Sequence, residues 1–443
     1  MNNAPDLVQR PMDAIYRRYA VVAMLSIHTA SLVDQGLIGL LMQPIKVDLQ
    51  LSDTQLGIVT GIGFGVLYAV LGVPIARWAD RGNRITIASI FIGLWGLTVM
   101  ACLMVTNYIQ LLFARMAAAA GGAGCKPATL SLVGDYYPVA ADRVRAMAIY
   151  WLGGPLAALI SRMVGGWLSE RYGWRATFFL MGIPGLVLAA LIKSTLVEPR
   201  SQMHTTRIQY RRLPPFRQVV SLLWRTRSCR QLIAALTLIL AMTYGLDRWN
   251  ATFMMRSHGL GTQELGIWLG AIYGFGGSAG VFFGGYVAGR WFANDEKGQM
   301  RISAIALALA TLCCIIFLMV HQPHVALIML IPIMLALNFI VPPAFTLIQR
   351  LVPDESRATC MAITMLLYNL IGMGFAPLVV GSLSDWLAPE FGTDSLRYAM
   401  LITTVVGLWA AYHLWQVGHT VQQDLVLDRR ELTISHATPR EGL

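Results

Sequence analysis

Six ionisable side chains interrupt the apolar stretches of this 443-residue chain, and they are the residues best placed to do chemistry. A charged group inside a membrane-spanning helix costs free energy unless it is paired or faces water, so such residues mark functional sites by default. Four of the six are cations and two are acids. This positive excess favours an anionic ligand that supplies the missing charge. The six residues are Asp34, Arg115, Lys126, Arg162, Asp247 and Arg248.

The spacing of these residues predicts which of them lie together. Arg115 and Lys126 are 11 residues apart, or about three helical turns, and therefore share one helix face. Trp151 and Arg162 share a face by the same spacing. Asp34 is the natural counter-ion for Arg115 if the first and fourth helices meet.

Two alternatives stay open for the other three charges. Arg162, Asp247 and Arg248 either belong to the site or lie near the outer ends of their helices and extend their charged ends to the interface. Aromatic and amide side chains in the apolar stretches could complete a site with the cations. The candidates are Tyr150, Trp151, Tyr244, Asn338, Tyr368 and Asn369.

Composition places these residues in a membrane. The chain is 56% hydrophobic and 13% charged, with a mean hydropathy of +0.58. Soluble domains carry about a quarter charged residues. The apolar residues fall in blocks of about 20, the length a helix needs to cross a bilayer. We predict an all-α membrane protein with twelve spans near 17–41, 55–77, 85–105, 109–132, 145–169, 174–196, 231–252, 265–289, 301–320, 325–348, 357–384 and 396–418.

Two segments of the chain repeat. The connection that begins at Pro138 contains an arginine followed by Ala-Ile, and so does the connection that begins at Pro353. Each leads into a span that ends in Gly-x-Leu-Ser-acid, at Gly166–Glu170 and Gly381–Asp385. This repetition indicates two pseudo-symmetric halves of six helices. Duplicated halves with a site between them are typical of secondary transporters.

Basic residues predict the topology. Of the 34 Lys and Arg residues, 25 fall on one side of the spans, five on the other and four inside them. This bias places both termini in the cytoplasm and explains the net charge of +11 without a nucleic-acid partner. A short surface helix is expected at Phe216–Trp224, with Arg217 and Arg225 toward the lipid headgroups. The predicted division is a bundle at 1–196, a linker at 197–230, a bundle at 231–418 and a tail at 419–443.

The loop after the second span carries a recognisable motif. It reads Ala76-Arg-Trp-Ala-Asp80-Arg81-Gly82-Asn83-Arg84 and resembles the signature loop of the major facilitator superfamily. The resemblance implies that Asp80, Arg81 and Arg84, together with Arg145, form a charged latch for one conformation. Arg115, followed by a run of small residues, resembles the family's second motif and is thereby linked to coupling.

The resemblance narrows to the bacterial Spinster-like branch. The matching segments lie mainly in the N-terminal half; they are Gln43–Lys46, Leu51–Gly57, Gly72–Arg77, Asp80–Arg84 and Tyr172–Ala176, with Asp34. The branch is taken to carry lysolipids, sphingolipids or other amphipathic molecules, often with protons. This chain has Gly122 where the branch usually has an acid, and Lys126 where it usually has a small residue or proline.

These observations give one working hypothesis and two alternatives. The hypothesis is a monomeric transporter in a bacterial inner membrane that moves an amphipathic organic anion with protons. Arg115 and Lys126 would bind the anion, and Asp34 would exchange the proton and compete for Arg115. One alternative is an exporter of lysolipids, sphingolipids or drugs. The other is a sensor that binds without transporting.

Other kinds of site are not expected. The segment Gly121-Gly-Ala-Gly-Cys-Lys126 lacks the Ser or Thr of a phosphate-binding loop, because Pro127 follows the lysine. The six cysteines show no metal or disulfide pattern. No nucleophile and base stand at a credible spacing, so we predict neither an enzyme nor a cofactor.

Overall fold

The computed structural model describes residues 13–199, 216–292, 295–353 and 356–437. These ranges are helical and contain no strand. Within them, nine helical runs are apolar and long enough to cross a membrane. Two of these runs, Asp142–Thr195 and Thr359–Leu425, hold two spans each, and helix Tyr108–Tyr136 adds another. The twelve predicted spans are confirmed.

We number the spans in chain order. Those of the first half are span 1 (Ala14–Leu49), span 2 (Asp53–Thr60 and Ile62–Arg81), span 3 (Arg84–Met100 with Ala101–Met104), span 4 (Tyr108–Tyr136), span 5 (Ala140–Trp151, Gly153–Leu159, Ile160–Val164 and the start of Gly165–Thr195) and span 6 (the rest of Gly165–Thr195). Span 6 begins at Gly173, whose φ of 78° lets the chain turn back. The predicted short helix is present as Phe216–Arg225.

The second half repeats this plan. Its members are span 7 (Arg227–His258), span 8 (Thr262–Ala271, Ile272–Gly276 and Gly277–Trp291), span 9 (Glu296–Met319), span 10 (Pro323–Arg350), span 11 (Arg357–Leu367, Tyr368–Phe375 and Ala376–Phe391) and span 12 (Ser395–Thr404 and Val406–Ala437, after the turn Gly392–Asp394). Twelve crossings leave both chain ends on one face of the membrane. We call this face the terminal side and the opposite face the distal side.

Short polar side chains start several of these helices. Ser52 and Gln55 form a reciprocal capping box at span 2, with bonds of 3.1 and 3.0 Å. Asn83, Asn107 and Asp295 each accept a backbone N–H in the first turn of spans 3, 4 and 9. These caps satisfy N–H groups that have no partner within the helix, and so they fix where each span begins.

Spans 5, 8 and 11 each contain a π-helical turn. The turns are Ile160–Val164, Ile272–Gly276 and Tyr368–Phe375. Such a turn inserts an extra residue and rotates the side chains that follow it; π turns occur often at functional sites. All three lie in spans that face the opposite half.

Two seams join the halves on the distal side. Span 2 packs on span 11 so closely that a Cβ atom on Gly57 would lie 2.8 Å from Leu378 Cα. Span 5 packs on span 8 in a similarly close way, since a Cβ atom on Gly166 would lie 3.1 Å from Gly266 Cα. Glycine permits this backbone-to-backbone contact between helices. We call these contacts the 2/11 seam and the 5/8 seam.

The repeated Gly-x-Leu-Ser-acid motif closes both seams. Asp385 of span 11 accepts the backbone N–H groups of Asp53 (3.0 Å) and Thr54 (2.7 Å) at the start of span 2. Glu170 of span 5 accepts the N–H of Gln263 (3.3 Å) at the start of span 8. In each case the acid of one half caps a helix of the other half, where the positive end of the helix dipole favours a carboxylate.

Removal of these caps should favour a state that is open on the distal side. Asp385→Ala loses two charge-assisted hydrogen bonds, each of about 2 kcal/mol. We expect the ratio of distally open to distally closed molecules to rise about tenfold or more. Glu170→Ala should act in the same direction but more weakly. Spin labels at Thr106 and Gln322, exposed on distal loops of the two halves, would report the change as longer distances.

Asp394→Ala is the matched control, because Asp394 pairs with Arg397 of its own half. An unchanged distance distribution in Asp385→Ala would show that this acid does not hold the halves together.

Candidate functional site

A cavity of about 770 Å³ lies between the halves. Spans 1, 5, 7, 8 and 10 form its wall, so both halves contribute. The volume is typical of a site for a small organic molecule. A cavity of about 170 Å³ between spans 7, 9, 11 and 12 has no charged side chain in its lining. Another of about 290 Å³, with Glu296 and Arg350 in its lining, is formed by spans 8, 9 and 10 of the second half alone. The largest of the three is shared by both halves and is therefore the candidate site.

Three charged residues form the floor of this cavity, toward the distal side. Arg162 of span 5 donates to Asp247 of span 7. Arg248 donates to the other carboxylate oxygen of Asp247 at 2.8 Å and to the backbone oxygen of Gln35 at 2.6 Å. All three side chains are at least 88% buried, so the alternative that they reach out to the interface is wrong.

Aromatic rings cover the two arginines of the floor. The guanidinium of Arg162 lies 4.2 Å from the ring centre of Tyr273, and that of Arg248 lies 5.1 Å from Tyr244. Such contacts stabilise a cation that has lost its water. The hydroxyl of Tyr273 accepts a 2.6 Å bond from Asn250, which fixes the ring.

Lys126 lies against the ring of Trp151, with 5.0 Å between Nζ and the ring centre. Trp151 belongs to the cavity wall and is about half exposed. Among the described residues Lys126 has no acidic partner within ion-pair distance. Tyr150, beside Trp151, is buried; it stacks on His28 at 4.4 Å and shares a 3.0 Å bond with Thr129.

Asp34 and Arg115 form a buried ion pair of 2.6 Å between spans 1 and 4. Their side chains are 0% and 2% exposed, so the first and fourth helices meet at this pair. The pair is incompletely satisfied, because Asp34 Oδ1 and Arg115 Nε have no hydrogen-bond partner among the described residues. The guanidinium also lies 5.1 Å from the ring centre of Phe64.

The cavity unites some of the predicted site residues and leaves others outside. Trp151, Arg162, Tyr244 and Asn338 line it. The residues outside the wall are Arg115, Lys126, Tyr150, Tyr368 and Asn369. Of these, Tyr368 packs on Phe345, and the amide of Asn369 bonds to the Met365 carbonyl oxygen in its own helix.

The predicted latch is described only in part. The side chains of Asp80 and Arg81 lie outside the described residues. Arg84 is fully buried and pairs with Asp135 (2.6 Å) and Glu198 (2.5 Å), so it ties span 3 to the ends of spans 4 and 6 within one half. Arg145 is exposed.

A charged network at the distal end of the site was not predicted from the sequence. Asp53 is 3% exposed and pairs with Lys46 (2.5 Å) and Arg256 (2.7 Å), and it accepts a bond from Ser384 (2.7 Å). The network joins spans 1, 2, 7 and 11 across both halves. Its only signal in the sequence is that Lys46 and Arg256 stand on the side that is poor in basic residues.

The comparisons with known proteins decide the family. The model of the Major Facilitator Superfamily matches residues 24–377. The chain belongs to this superfamily. An MFS-type efflux pump of Mycolicibacterium smegmatis is 31% identical, over 94% of this chain and 96% of the pump. A probable L-galactonate transporter of Escherichia coli is 23% identical, over 90% of this chain and 89% of that protein.

A solved structure shows the same fold. It is a bacterial homologue of the human lysosomal transporter Spinster, in an inward-facing and unoccupied conformation, with a TM-score of 0.82 and 25% identity. The match covers 93% of this chain and 99% of that one. The protein is therefore an integral membrane transporter with the twelve-helix facilitator fold, and not an enzyme.

Loss of Asp53 should destabilise the transporter strongly. Asp53→Asn leaves two cations without their buried counter-ion, which costs about 3 kcal/mol or more. We expect the Tm of the purified protein to fall by about 5 °C or more.

The control is Asp48→Asn on the same side of the membrane. Asp48 pairs with Arg175 at 2.6 Å, but the two side chains are 42% and 31% exposed, so we expect a loss below about 1 kcal/mol. Equal Tm shifts in the two variants would contradict a special role of the Asp53 network.

Proposed function

We propose that this protein is a secondary active transporter for an amphipathic organic anion and that protons drive it. The observation that carries the proposal is the charge of the cavity. Its floor holds two guanidinium groups and one carboxylate, and Lys126 adds a further cation behind Trp151. The rest of the wall is mostly apolar. A molecule with one anionic group and an apolar body complements both properties.

The relatives support a carboxylate cargo. The Escherichia coli protein described as a probable L-galactonate transporter would carry the anion of a sugar acid. The efflux pump and the Spinster homologue are similar over nearly the whole chain as well, which favours a cargo with an apolar part. An amphipathic anion accommodates both similarities.

Alternating access follows from the two seams. The bonds between Asp53, Asp385, Glu170 and their partners cluster on the distal side, so the cavity is closed there. If the bias of Lys and Arg places the termini in the cytoplasm, this conformation faces inward. Transport then requires the seams to part while contacts form on the terminal side.

The Asp34–Arg115 pair is the proposed proton site. A proton on Asp34 would remove the negative charge that holds Arg115, and the free oxygen Oδ1 is the place for it. Span 1 connects this pair with the cavity, because Gln35, the next residue, lines the wall and binds Arg248. Protonation of Asp34 can therefore change the position of the floor.

We expect Asp34→Asn to abolish the dependence of uptake on a pH gradient. The amide cannot exchange a proton, whereas the binding of substrate should change less than about threefold. The measurement is uptake of glycocholate, an anion with an apolar body, into proteoliposomes with an imposed pH gradient.

Asp48→Asn, an exposed acid of the same span, serves as the control and should keep normal coupling. If Asp34→Asn accumulates substrate with the wild-type response to pH, Asp34 does not carry the proton. Binding without any flux in the wild type would favour the sensor.

Lys126→Ala should weaken the binding of glycocholate about tenfold, because a half-buried cation beside the wall is lost. Thermal stabilisation of the purified variant would measure this. Lys193→Ala removes an exposed lysine at the end of span 6 and should leave binding unchanged.

The second candidate is an exporter of lysolipids or drugs. Exposed apolar side chains of the cavity wall, Leu152, Val281 and Phe282, favour a lipid-like cargo. A neutral lysolipid that is bound equally by the wild type, Lys126→Ala and Arg115→Ala would support this candidate and contradict the anion proposal.

A further inference from the structure

The carboxylate of Asp247 holds the two halves together at the cavity floor. Arg162 reaches it from span 5 of the first half, while Asp247 and Arg248 are consecutive residues of span 7 in the second half. The bond between Arg162 and Asp247 therefore crosses the 5/8 side of the interface, next to the substrate cavity.

The charges of this cluster are not balanced. Two guanidinium groups share one carboxylate, each holding one of its oxygens. The Nε of Arg248 is buried without a hydrogen-bond partner in the part of the chain that the structure describes. One further carboxylate would bring the cluster to neutrality, and a buried cluster is most stable when every charge has its own partner.

We propose that the single carboxylate of the substrate takes Arg162 from Asp247. Asp247 then remains paired with Arg248, its neighbour in sequence, and each cation has one anion. Asp247 thus occupies, in this conformation, the position that the substrate's carboxylate takes. The inference rests on the proposed function, and it names the substrate class as monocarboxylates with an apolar tail.

The shape of the cavity supports an elongated tail. Along span 5 the wall runs from Arg162 to Trp151, which is 11 residues or about 16 Å. The wall side chains between them are the apolar Leu152, Pro155, Ala157 and Ala158, and the polar Ser161 lies next to Arg162. A chain of methylene groups would bury its surface there once its carboxylate has reached the floor.

The exchange also links the binding of the substrate to the opening of the distal side. While Arg162 binds Asp247, an ion pair spans the halves; once Arg162 binds the substrate, that pair is gone. The substrate thereby lowers the free energy of a state with the distal side open, and a ligand shifts a conformational equilibrium only through such a difference. The tail and the carboxylate have separate roles, since the tail gives affinity and the carboxylate releases the halves.

Binding of decanoate to the purified full-length protein tests the proposal. Asp247 competes for Arg162, so Asp247→Asn should bind decanoate about tenfold more tightly than the wild type. Arg162→Gln should bind it at least tenfold more weakly. The double variant Arg162→Gln/Asp247→Asn should show no gain over Arg162→Gln, which separates competition from a general increase in positive charge.

A second measurement uses the wild type and needs no variant that could fail to fold. Spin labels at Thr106 and Gln322 should report longer distal distances in decanoate than in decan-1-ol, which has the same tail but no charge. Equal distances in the two ligands would overturn the proposal.

Three failures can be told apart. If the wild type binds neither decanoate nor glycocholate, the proposed function itself is wrong, and this inference with it. If it binds glycocholate but not decanoate, the proposed function stands and the elongated tail is overturned. If the wild type binds decanoate but Asp247→Asn binds it equally or more weakly, only the competition by Asp247 is overturned.

Discussion

The cost of a charge without a partner in a low-dielectric interior organises the centre of this transporter. Each acid within the spans therefore needs a cation, and each cation needs an acid, a ring or water. Asp34 meets Arg115, and Asp247 is shared by Arg162 and Arg248. The spans must therefore pack so that these groups meet.

The Asp34–Arg115 pair and the Arg162–Asp247–Arg248 cluster lie differently relative to the two halves. The pair between spans 1 and 4 lies within the first half, so a proton can change it without any movement of the halves. The cluster at the floor joins span 5 to span 7 and cannot change without an effect on the interface. Span 1 touches both, through Asp34 and the carbonyl oxygen of Gln35. In the proposed coupling of protons to movement, span 1 would connect the two clusters.

The sequence predicted the elements better than the contacts. Apolar blocks of about 20 residues predicted all twelve spans. Opposite charges in spans 1 and 4 indicated the Asp34–Arg115 pair, provided that the two helices meet. The network around Asp53 could not be predicted, because Lys46, Arg256 and Ser384 come from three spans whose proximity only packing decides.

Position in an apolar stretch did not by itself identify residues of the cavity wall. Tyr368 and Asn369 were placed in the site because they lie in an apolar stretch, yet they begin the π-helical turn of span 11 and lie outside the cavity wall. An apolar stretch shows that a residue belongs to a span, but it does not show which side of that helix faces the cavity. Trp151 and Arg162, by contrast, both line the cavity, as their spacing predicted.

The two distal seams are built from the same motif but differ in strength, and the difference matters for mechanism. At the 2/11 seam, Asp385 accepts two backbone N–H groups, and the buried Asp53 network lies beside it. At the 5/8 seam, Glu170 accepts one longer bond. The cavity lies against the seam that has fewer of these bonds, since spans 5 and 8 form its wall and spans 2 and 11 do not. In the proposed exchange, loss of the bond between Arg162 and Asp247 therefore acts first on the 5/8 seam, and the bonds of the 2/11 seam must part as well before the distal side can open.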